Sequence, residues 1–372
     1  MALSKVGVVA TAQTELRPAW SNAQHIDLIS SVVTSVFKGT GLTLDDVDFI
    51  IDSGSDVLDG RSISNCGFLG ALGAHHKEEA RVEEDGLWGA LYGVNKIRAG
   101  SSALGLIVAY SKPSESNVDL YWNAQVEPFY QRPVGFGQRA ANGIQAQRYL
   151  ASSGISREDL AQIVADRWSA ASASGNVPIE DLPDAQAVLA SDEGAAPLTK
   201  LMFARPVDGA VAVLIAREDI ARRASRSPVF ITGMGTSMDT HSFAERAAGK
   251  LASAASAAEM AYRNAGWTSV EADVAEVSGS SVVGELLAIE ALGLAEAGQG
   301  SAALKAGKTA INRSGGALPA DPIMATGLVR LAEATRQLSL PELYDGGSPS
   351  RAVVHGAGGV GMQNNCVFTL EV

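Results

Sequence analysis

The sequence repeats one pattern of strands and helices, and this duplication limits the possible folds more than any other feature. Near the N-terminus an apolar strand, KVGVVATAQTE, precedes a helix predicted over residues 23–38 and a second strand, VDFIID. The same order returns as SPVFITGMGTS, a helix predicted over residues 251–264 and the strand ADVAEV. A further helix and strand follow in each half. Strands that alternate with helices in this way indicate a layered α/β protein built from two related halves.

The two halves meet near residue 225, within AREDIARRASRSPVF. We therefore predict an N-terminal half over residues 1–225 and a C-terminal half over residues 226–372. Residues from about 112 to 201 have no counterpart of equal size in the second half. They contain a capped helix, ISREDLAQIVADRWSAASASG, and we expect them to form an inserted loop domain over the functional site.

Charge and cysteine content exclude several classes of function. The 372 residues carry a net charge of -12, so the chain has no overall attraction for nucleic acid or for an anionic membrane. No run of about 18 apolar residues is present and the N-terminus lacks a signal-peptide cleavage pattern, so we expect a cytoplasmic protein. Cys66 and Cys366 are too few for a disulfide framework or a zinc ribbon. We assign no metal site, because no further ligands accompany His75 and His76 at sensible spacing.

Four segments, taken in order, resemble motifs of the thiolase superfamily. The segments are FARPVDGAVAVLIARED, AEVSGSSVVGELLAIEALGL, INRSGGALPADPIMATGLVRLAEATRQL and VVHGAGGVGMQNNCVFTLEV. They are similar to the strand that closes the family's first half, to its EVHDxF and EALGL segment, to its NPSGG and GHP segment, and to its terminal glycine-rich loop. The resemblance spans the whole chain and indicates the branch near the sterol-carrier-protein-x thiolases.

This resemblance implies a fold and a chemistry. The fold is a five-layer αβαβα sandwich of two duplicated halves, the ligands are coenzyme A thioesters and the assembly is a dimer. The family's reaction is Claisen condensation or its reverse. A nucleophilic cysteine takes the acyl group, a histidine activates it, a second cysteine moves the α-proton, and a histidine or asparagine helps to bind the oxyanion.

The chain departs from the family at each of these catalytic positions. Counting back from IRAG, the position of the nucleophile falls on Glu83, and the GHP histidine is replaced by Asp321. The second cysteine is replaced by His355, and the HDxF histidine falls on Ser278. Acyl-cysteine chemistry is therefore not expected from these positions.

The acidic candidates each have a structural interpretation beside the catalytic one. Glu83, with Glu84 and Asp85, either caps a helix or supplies a base at a helix N-terminus that faces the substrate tunnel. Asp321 either caps a helix together with Pro322 at the first helical position, or faces Glu83 across the site. Two facing carboxylates would raise one of the two pKa values and could form an acid/base pair.

His355 and Ser278 leave similar alternatives open. His355 follows an apolar strand at the start of HGAGGVG, where it is either a loop histidine or a general acid/base. Ser278 either forms a turn or hydrogen-bonds a thioester oxygen. Cys366 is predicted to be a core residue of the last strand.

The coenzyme A ligand is expected to contact two further groups of residues. Two glycine runs would accept the pantetheine arm and an oxyanion, because a chain without side chains permits close approach. Basic residues in or beside the inserted region would meet the phosphates, although each also fits a solvated surface. The residues are Gly315, Gly316, Gly358 and Gly359 in the glycine runs, and Arg132, Arg139 and Lys200 among the basic side chains.

Two functions fit this pattern. In the first, the chain breaks or forms C–C bonds in acyl-CoA as an acyltransferase, or as a retro-aldol or retro-Claisen lyase, without an acyl-cysteine. In the second, it is a catalytically inactive structural or regulatory subunit that pairs with an active thiolase or an OB-fold partner. The segments DGRSIS and RVEEDG resemble thiolase subunits that work with a zinc-ribbon/OB-fold protein, such as benzoylsuccinyl-CoA thiolase. Homodimers and such a partner protein are both expected.

Overall fold

The structure is a computed structural model that describes residues 5–60, 63–340 and 348–372. Its strands are β1 (Val6–Gln13), β2 (Phe49–Ser53), β3 (Glu78–Val82), β4 (Leu104–Ser111), β5 (Glu193–Ala195), β6 (Leu198–Thr199), β7 (Gly209–Arg217), β8 (Val229–Met238), β9 (Val274–Val277), β10 (Ala310–Ile311), β11 (Arg351–Gly358) and β12 (Asn364–Glu371). Its helices are α1 (His25–Ser35), α2 (Asp56–Asp59), α3 (Ser64–Leu72), α4 (Gly86–Arg98), α5 (Val118–Ala124), α6 (Gln138–Ser153), α7 (Arg157–Ser174), α8 (Ala185–Ala190), α9 (Glu218–Ala224), α10 (Ala252–Ala265), α11 (Val282–Ala291), α12 (Gly300–Ala306) and α13 (Thr326–Ser339).

Ten strands of the described residues join in one sheet whose order repeats the duplication. The order is β10-β9-β11-β12-β8-β1-β7-β4-β2-β3. Each half contributes five strands to this sheet. From the centre of the sheet to either edge, these are the first, fifth, fourth, second and third of the five in chain order. The halves meet where β1 and β8 pair antiparallel, with Val6 opposite Ile231 and Val8 opposite Val229. The prediction of two duplicated halves is confirmed.

Helices form three layers that alternate with the two half-sheets. On the outer face of the first half, α1 and α3 pack so that Ile29 and Phe68 share a core with Leu106. On the outer face of the second half, α10 and α11 pack so that Leu286 shares a core with Val353. Between the half-sheets, α4 and α13 contact strands of both halves. The predicted five-layer αβαβα arrangement is confirmed.

Glycines allow the buried helix α4 to approach its neighbours closely. A Cβ atom at Gly86 would lie 2.7 Å from Cβ of Leu328 in α13, and one at Gly93 would lie 2.6 Å from Cδ1 of Ile107 in β4. Real Cβ atoms do not approach so closely without displacing a neighbour. The segment GLWGALYG therefore fits a helix that packs between two sheets, and it brings the N-terminus of α4 against that of α13.

The segment between β4 and β7 forms a separate layer over the second half. It contains α5 to α8 and the hairpin β5–β6. Leu160 and Trp168 of α7 join the core formed by α10 and α11. The predicted limits of 112–201 for this insertion, and of 225 between the halves, stay predictions. Within the described residues, no helix combines the length and apolar character that crossing a bilayer requires.

Candidate active site

One carboxylate joins the first turns of α4 and α13. Asp85 is the residue before α4, and its side chain accepts hydrogen bonds from the backbone N–H of Leu87 at 2.9 Å and of Gly327 at 2.8 Å. The N–H of Gly86 donates to the carbonyl of Met324 at 2.9 Å. Both helix N-termini therefore direct N–H groups and positive dipole ends toward this point.

Glu83 does not begin α4, so its predicted placement is wrong. The helix starts three positions later at Gly86, because Asp85 supplies the side-chain cap. Glu83 follows β3 on the surface, where its carboxylate accepts the backbone N–H of Asp56 at 2.5 Å and lies 3.4 Å from Arg81. Its side chain is 48% exposed. The predicted catalytic role of Glu83 stays a prediction, and its carboxylate is not buried.

Asp85 of the first half lies within electrostatic range of Asp321 of the second half. Burial raises the pKa of Asp85 to about 8, while the amide hydrogen bonds from Leu87 and Gly327 act in the opposite direction. The charge of Asp321 adds to the rise. That Glu83 faces Asp321 across the site stays a prediction.

Glu84 is a second acid that sequence reasoning did not select. It accepts a hydrogen bond from Nδ2 of Asn364 at 3.0 Å, and burial raises its pKa. A Cβ atom at Gly358 would overlap its carboxylate. Two pieces of sequence information pointed here, namely the run of three acids and the glycine loop, but only the fold shows that they meet.

Asp321 lies in the wall of a cavity beside the site. Its backbone N–H donates to the carbonyl of Arg205 at 2.8 Å, and its carboxylate accepts the hydroxyl of Thr326. Burial raises the pKa of Asp321 to about 6, while Thr326 and Arg330 act to lower it. Asp321 is not the helix cap, since α13 begins at Thr326. A carboxyl group with this pKa can accept and return a proton near neutral pH.

The cavity has a volume of about 980 Å³ and mixes aromatic, apolar and charged walls. Its aromatic walls are Trp122, Trp168 and Phe203. Its charged residues include Arg139, Lys200, Arg205 and Asp321. A space of this size and composition fits a drug-sized ligand with an extended apolar part.

His355 lies inside β11, so the prediction that it follows the strand and enters a glycine-rich loop is wrong. It is fully buried, and Nε2 is 2.8 Å from Oδ1 of Asn365. Successive side chains of a strand point to opposite faces, and the next residue, Gly356, is the one that faces Asp85. Burial lowers the pKa of His355 to about 4, so the ring is neutral at neutral pH. Its predicted proton transfer stays a prediction.

Ser278 and the cysteines are held by the framework. The hydroxyl of the buried Ser278 donates to the carbonyl of His355 at 2.9 Å, and its predicted contact with a thioester stays a prediction. Cys366 is buried in β12 opposite Gly356, as expected of a core residue, and burial raises the pKa of its thiol. Cys66 is exposed on α3. Neither thiol lies at the N-terminus of α4.

The chain itself fills the space beside the four predicted ligand-binding glycines. A Cβ atom at Gly315 would lie 2.5 Å from Cβ of Ala171, and one at Gly359 would lie 2.9 Å from Cβ of Gln363. Gly316 is similarly close to its own loop, and Gly358 to Glu84. Their predicted contacts with coenzyme A stay predictions.

The three predicted phosphate-binding residues have different surroundings. Arg139 and Lys200 line the cavity, and Arg139 pairs with Asp119 at 3.2 Å. Arg132 instead donates to the backbone carbonyls of Ala124 and Val126. Their binding of coenzyme A stays a prediction. Among the residues that the structure describes, no group of three or more His, Cys, Asp or Glu side chains is arranged to hold a metal ion.

Comparison with known proteins gives matches over more than half of the sequence. The family model described as Thiolase C-terminal domain-like matches residues 235–370. An acetyl-CoA acetyltransferase of Methanothermobacter thermautotrophicus is 29% identical over 60% of the chain, and the benzoylsuccinyl-CoA thiolase subunit BbsB of Thauera aromatica is 26% identical over 58%. Human sterol carrier protein 2 is 30% identical over 61% of the chain. These matches cover 58%, 59% and 43% of the relatives' own lengths, so the chain spans about half the length of the curated relatives it matches.

The fold is also found among solved structures. A solved structure described as Ltp2-ChsH2(DUF35) aldolase is similar in fold, with a TM-score of 0.82 and 16% sequence identity. The match covers 100% of this chain and 98% of the matched chain. A likeness at this level of identity establishes the fold that the strand order already indicated.

Proposed function

We propose that this chain, which belongs to the thiolase superfamily and to its SCP2-like members, breaks or forms C–C bonds in acyl-CoA without an acyl-cysteine. The observation that carries the proposal is the N-terminus of α4, where the buried carboxyl group of Asp85 stands and no thiol is present. Covalent acyl transfer needs a nucleophile such as a thiolate. A reaction that needs only proton transfer fits the carboxyl groups that are present.

Retro-aldol cleavage of a 3-hydroxyacyl-CoA meets this requirement. A carboxylate takes the proton of the 3-hydroxyl group as the bond between Cα and Cβ breaks. The hydroxyl carbon leaves as an aldehyde or ketone, and the electron pair passes to the thioester as an enolate. The same carboxyl group then returns the proton to Cα. One acid/base group is therefore sufficient, and no oxidant or acyl carrier is consumed.

Asp321 is the best candidate for this acid/base group. It lines the cavity, and burial raises its pKa to about 6, which is close to the pH at which a base works best. Asp85 is less suited, because both of its oxygens accept backbone N–H groups. Lys200 and Arg139 at the cavity wall are proposed to meet the phosphates of coenzyme A.

We also propose that the chain acts as one subunit of a larger assembly. One relative is described as a subunit of a thiolase, and the aldolase structure is a complex of two proteins. An apolar surface on the inserted segment supports the proposal, since Phe129, Tyr130 and Val134 are 79%, 83% and 78% exposed. Sedimentation of the chain alone, and with a co-expressed zinc-ribbon/OB-fold protein, tests this. A monomer in both cases would contradict it.

Turnover of 3-hydroxyacyl-CoA substrates by the purified protein or its complex tests the reaction. Chromatography should detect the shortened acyl-CoA and the carbonyl product in equal amounts. Asp321→Asn keeps an acceptor for Thr326 and should lose turnover, whereas Asp45→Asn on the surface should not. The double variant Cys66→Ser/Cys366→Ala should retain turnover. Loss of turnover in a folded double variant would indicate an acyl-cysteine after all, and no turnover in any assembly would favour an inactive subunit.

A further inference from the structure

The backbone around Arg205 is held tightly beside the proposed reacting group. The N–H of Arg205 donates to the carbonyl of Leu318 at 3.0 Å, and its carbonyl accepts the N–H of Asp321 at 2.8 Å. On the preceding residue, the N–H of Ala204 donates to the carbonyl of Ser280 at 3.1 Å. Arg205 is therefore fixed between two loops in the same wall as Asp321. A side chain that starts from such a backbone loses little freedom when it binds a ligand.

The Arg205 side chain has no anionic partner in the part of the chain that the structure describes. Its guanidinium carbon lies 5.3 Å from the ring centre of Trp168, and no ion pair or side-chain hydrogen bond to a carboxylate accompanies this contact. Burial alone shifts the pKa of Arg205, downward, with no contribution from a neighbouring charge. A half-buried guanidinium without a counter-ion keeps its charge and its N–H donors available to an anionic ligand.

Trp168 supplies a second unpartnered donor at the same wall. It is 6% exposed and lines the cavity, and its indole N–H has no acceptor among the described residues. Buried indole N–H groups usually find a partner. Two other cations of the cavity are already paired, since Arg139 contacts Asp119 and Arg17 contacts Glu15, and a third, Lys200, is exposed. Arg205 and Trp168 thus place a cation and a buried donor, both without an acceptor among the described residues, in the wall that also holds Asp321.

We propose that Arg205 and Trp168 form a subsite for a carboxylate on the acyl part of the substrate, so that the protein selects dicarboxylic acyl-CoA thioesters. This inference rests on the proposed function. The position of the subsite favours the acyl part over the phosphates of coenzyme A, because Arg205 adjoins Asp321 whereas the exposed Arg139 and Lys200 suit the phosphates better. Arg205 is assigned as a specificity-determining residue, and proton transfer remains with Asp321.

Calorimetric binding of glutaryl-CoA, its neutral methyl ester and free coenzyme A tests the inference. The native protein should bind glutaryl-CoA about tenfold or more tightly than the ester, as expected for an Arg–carboxylate contact away from water. Arg205→Gln should reduce this ratio to about one while changing ester binding by less than about twofold. Trp168→Phe, which keeps the ring and removes the N–H, should reduce the ratio by a smaller factor.

Arg222→Gln is the matched control, because Arg222 also stacks on an aromatic ring, at 4.7 Å from that of Phe230, but lies away from the cavity. It should leave the ratio unchanged. Equal weakening of glutaryl-CoA, ester and free coenzyme A by Arg205→Gln would overturn the inference in favour of a phosphate contact. Equal affinity of the native protein for glutaryl-CoA and its ester would overturn the inference and leave the proposed function intact. Binding of none of the three would overturn both.

Discussion

Asp85 and Gly327 are 242 positions apart, yet the carboxylate of the first accepts the backbone N–H of the second at 2.8 Å. The same carboxylate caps its own helix through Leu87. A helix N-terminus leaves N–H groups without partners, and here one side chain satisfies such groups on the matching helices of both halves. The relationship fixes the two helices of the central layer against each other at the point where the acids of the site gather.

Asp85→Ala should destabilise the protein by about 2–4 kcal/mol, because it removes two caps and leaves buried N–H groups unpaired. Urea unfolding measures the change. Asp85→Asn keeps one acceptor and should cost less. Asp184→Ala is the matched control, since Asp184 caps only the short surface helix α8, through the N–H of Ala187 at 2.7 Å. A loss for Asp85→Ala no larger than for Asp184→Ala would contradict the role of a shared cap.

The fold could be predicted from the sequence because the order of strands and helices along the chain can be recognised without knowing any tertiary contact. The repeat of strand and helix predicted two halves, and the strand order shows the same arrangement in each. The central helices were recognisable by their small residues, as in GLWGALYG. The predicted cap of α4 was Glu83, whereas the structure has Asp85. Three consecutive acids all suit a helix N-terminus, and only the backbone conformation decides which of them caps the helix.

Side-chain directions could not be predicted as well. His355 lies in a strand that is buried on both faces, and such a strand reads as a continuous apolar run without an alternation to mark its faces. Its neighbour Gly356, rather than His355, approaches Asp85. Arg205 was missed for a different reason. Its importance depends on the absence of a counter-ion and on its neighbours Trp168 and Asp321, which are distant in sequence.

The buried histidine should make the protein less stable in acid. The pKa of His355 is lowered from 6.5 to about 4, so the folded state binds a proton less readily than the unfolded chain. The stability that His355 contributes is therefore complete above pH 6.5 and declines as the pH falls toward 4, by about 3 kcal/mol in total.

Urea unfolding between pH 4 and pH 7.5 measures this decline. His355→Gln retains a donor for Asn365 and should flatten the acidic part of the curve, even if it lowers stability at neutral pH. His75→Gln on the surface is the control and should leave the curve unchanged. An unaltered acidic slope in His355→Gln would mean that the histidine does not titrate in this range.

The activity should depend on ionised Asp321. Because burial raises the pKa of Asp321 to about 6, kcat/KM should fall about tenfold for each pH unit below that value. Thr326→Val removes the hydroxyl that stabilises the carboxylate, so the acidic limb should move to higher pH by about one unit. Initial rates between pH 4.5 and 8 measure both effects. If the acidic limb of the pH–rate profile stays at the same pH in Thr326→Val, the limb reports the titration of a group other than Asp321.

Substitution of Gly315 tests whether the glycine run that was predicted to contact coenzyme A serves packing or ligand binding. Its φ of 96° already disfavours a side chain, and a Cβ atom there would lie 2.8 Å from the backbone N of Ala171 in α7. A helix backbone cannot move aside as a flexible side chain can, so Gly315→Ala should cost about 3 kcal/mol or more. Gly154→Ala is the control, because Gly154 has a φ of 74° but no neighbour within 4 Å of the added atom, and it should cost about 1 kcal/mol. Urea unfolding without any ligand measures both. A loss in Gly315→Ala that matches the control, together with weaker binding of coenzyme A, would instead make Gly315 a ligand-contact residue.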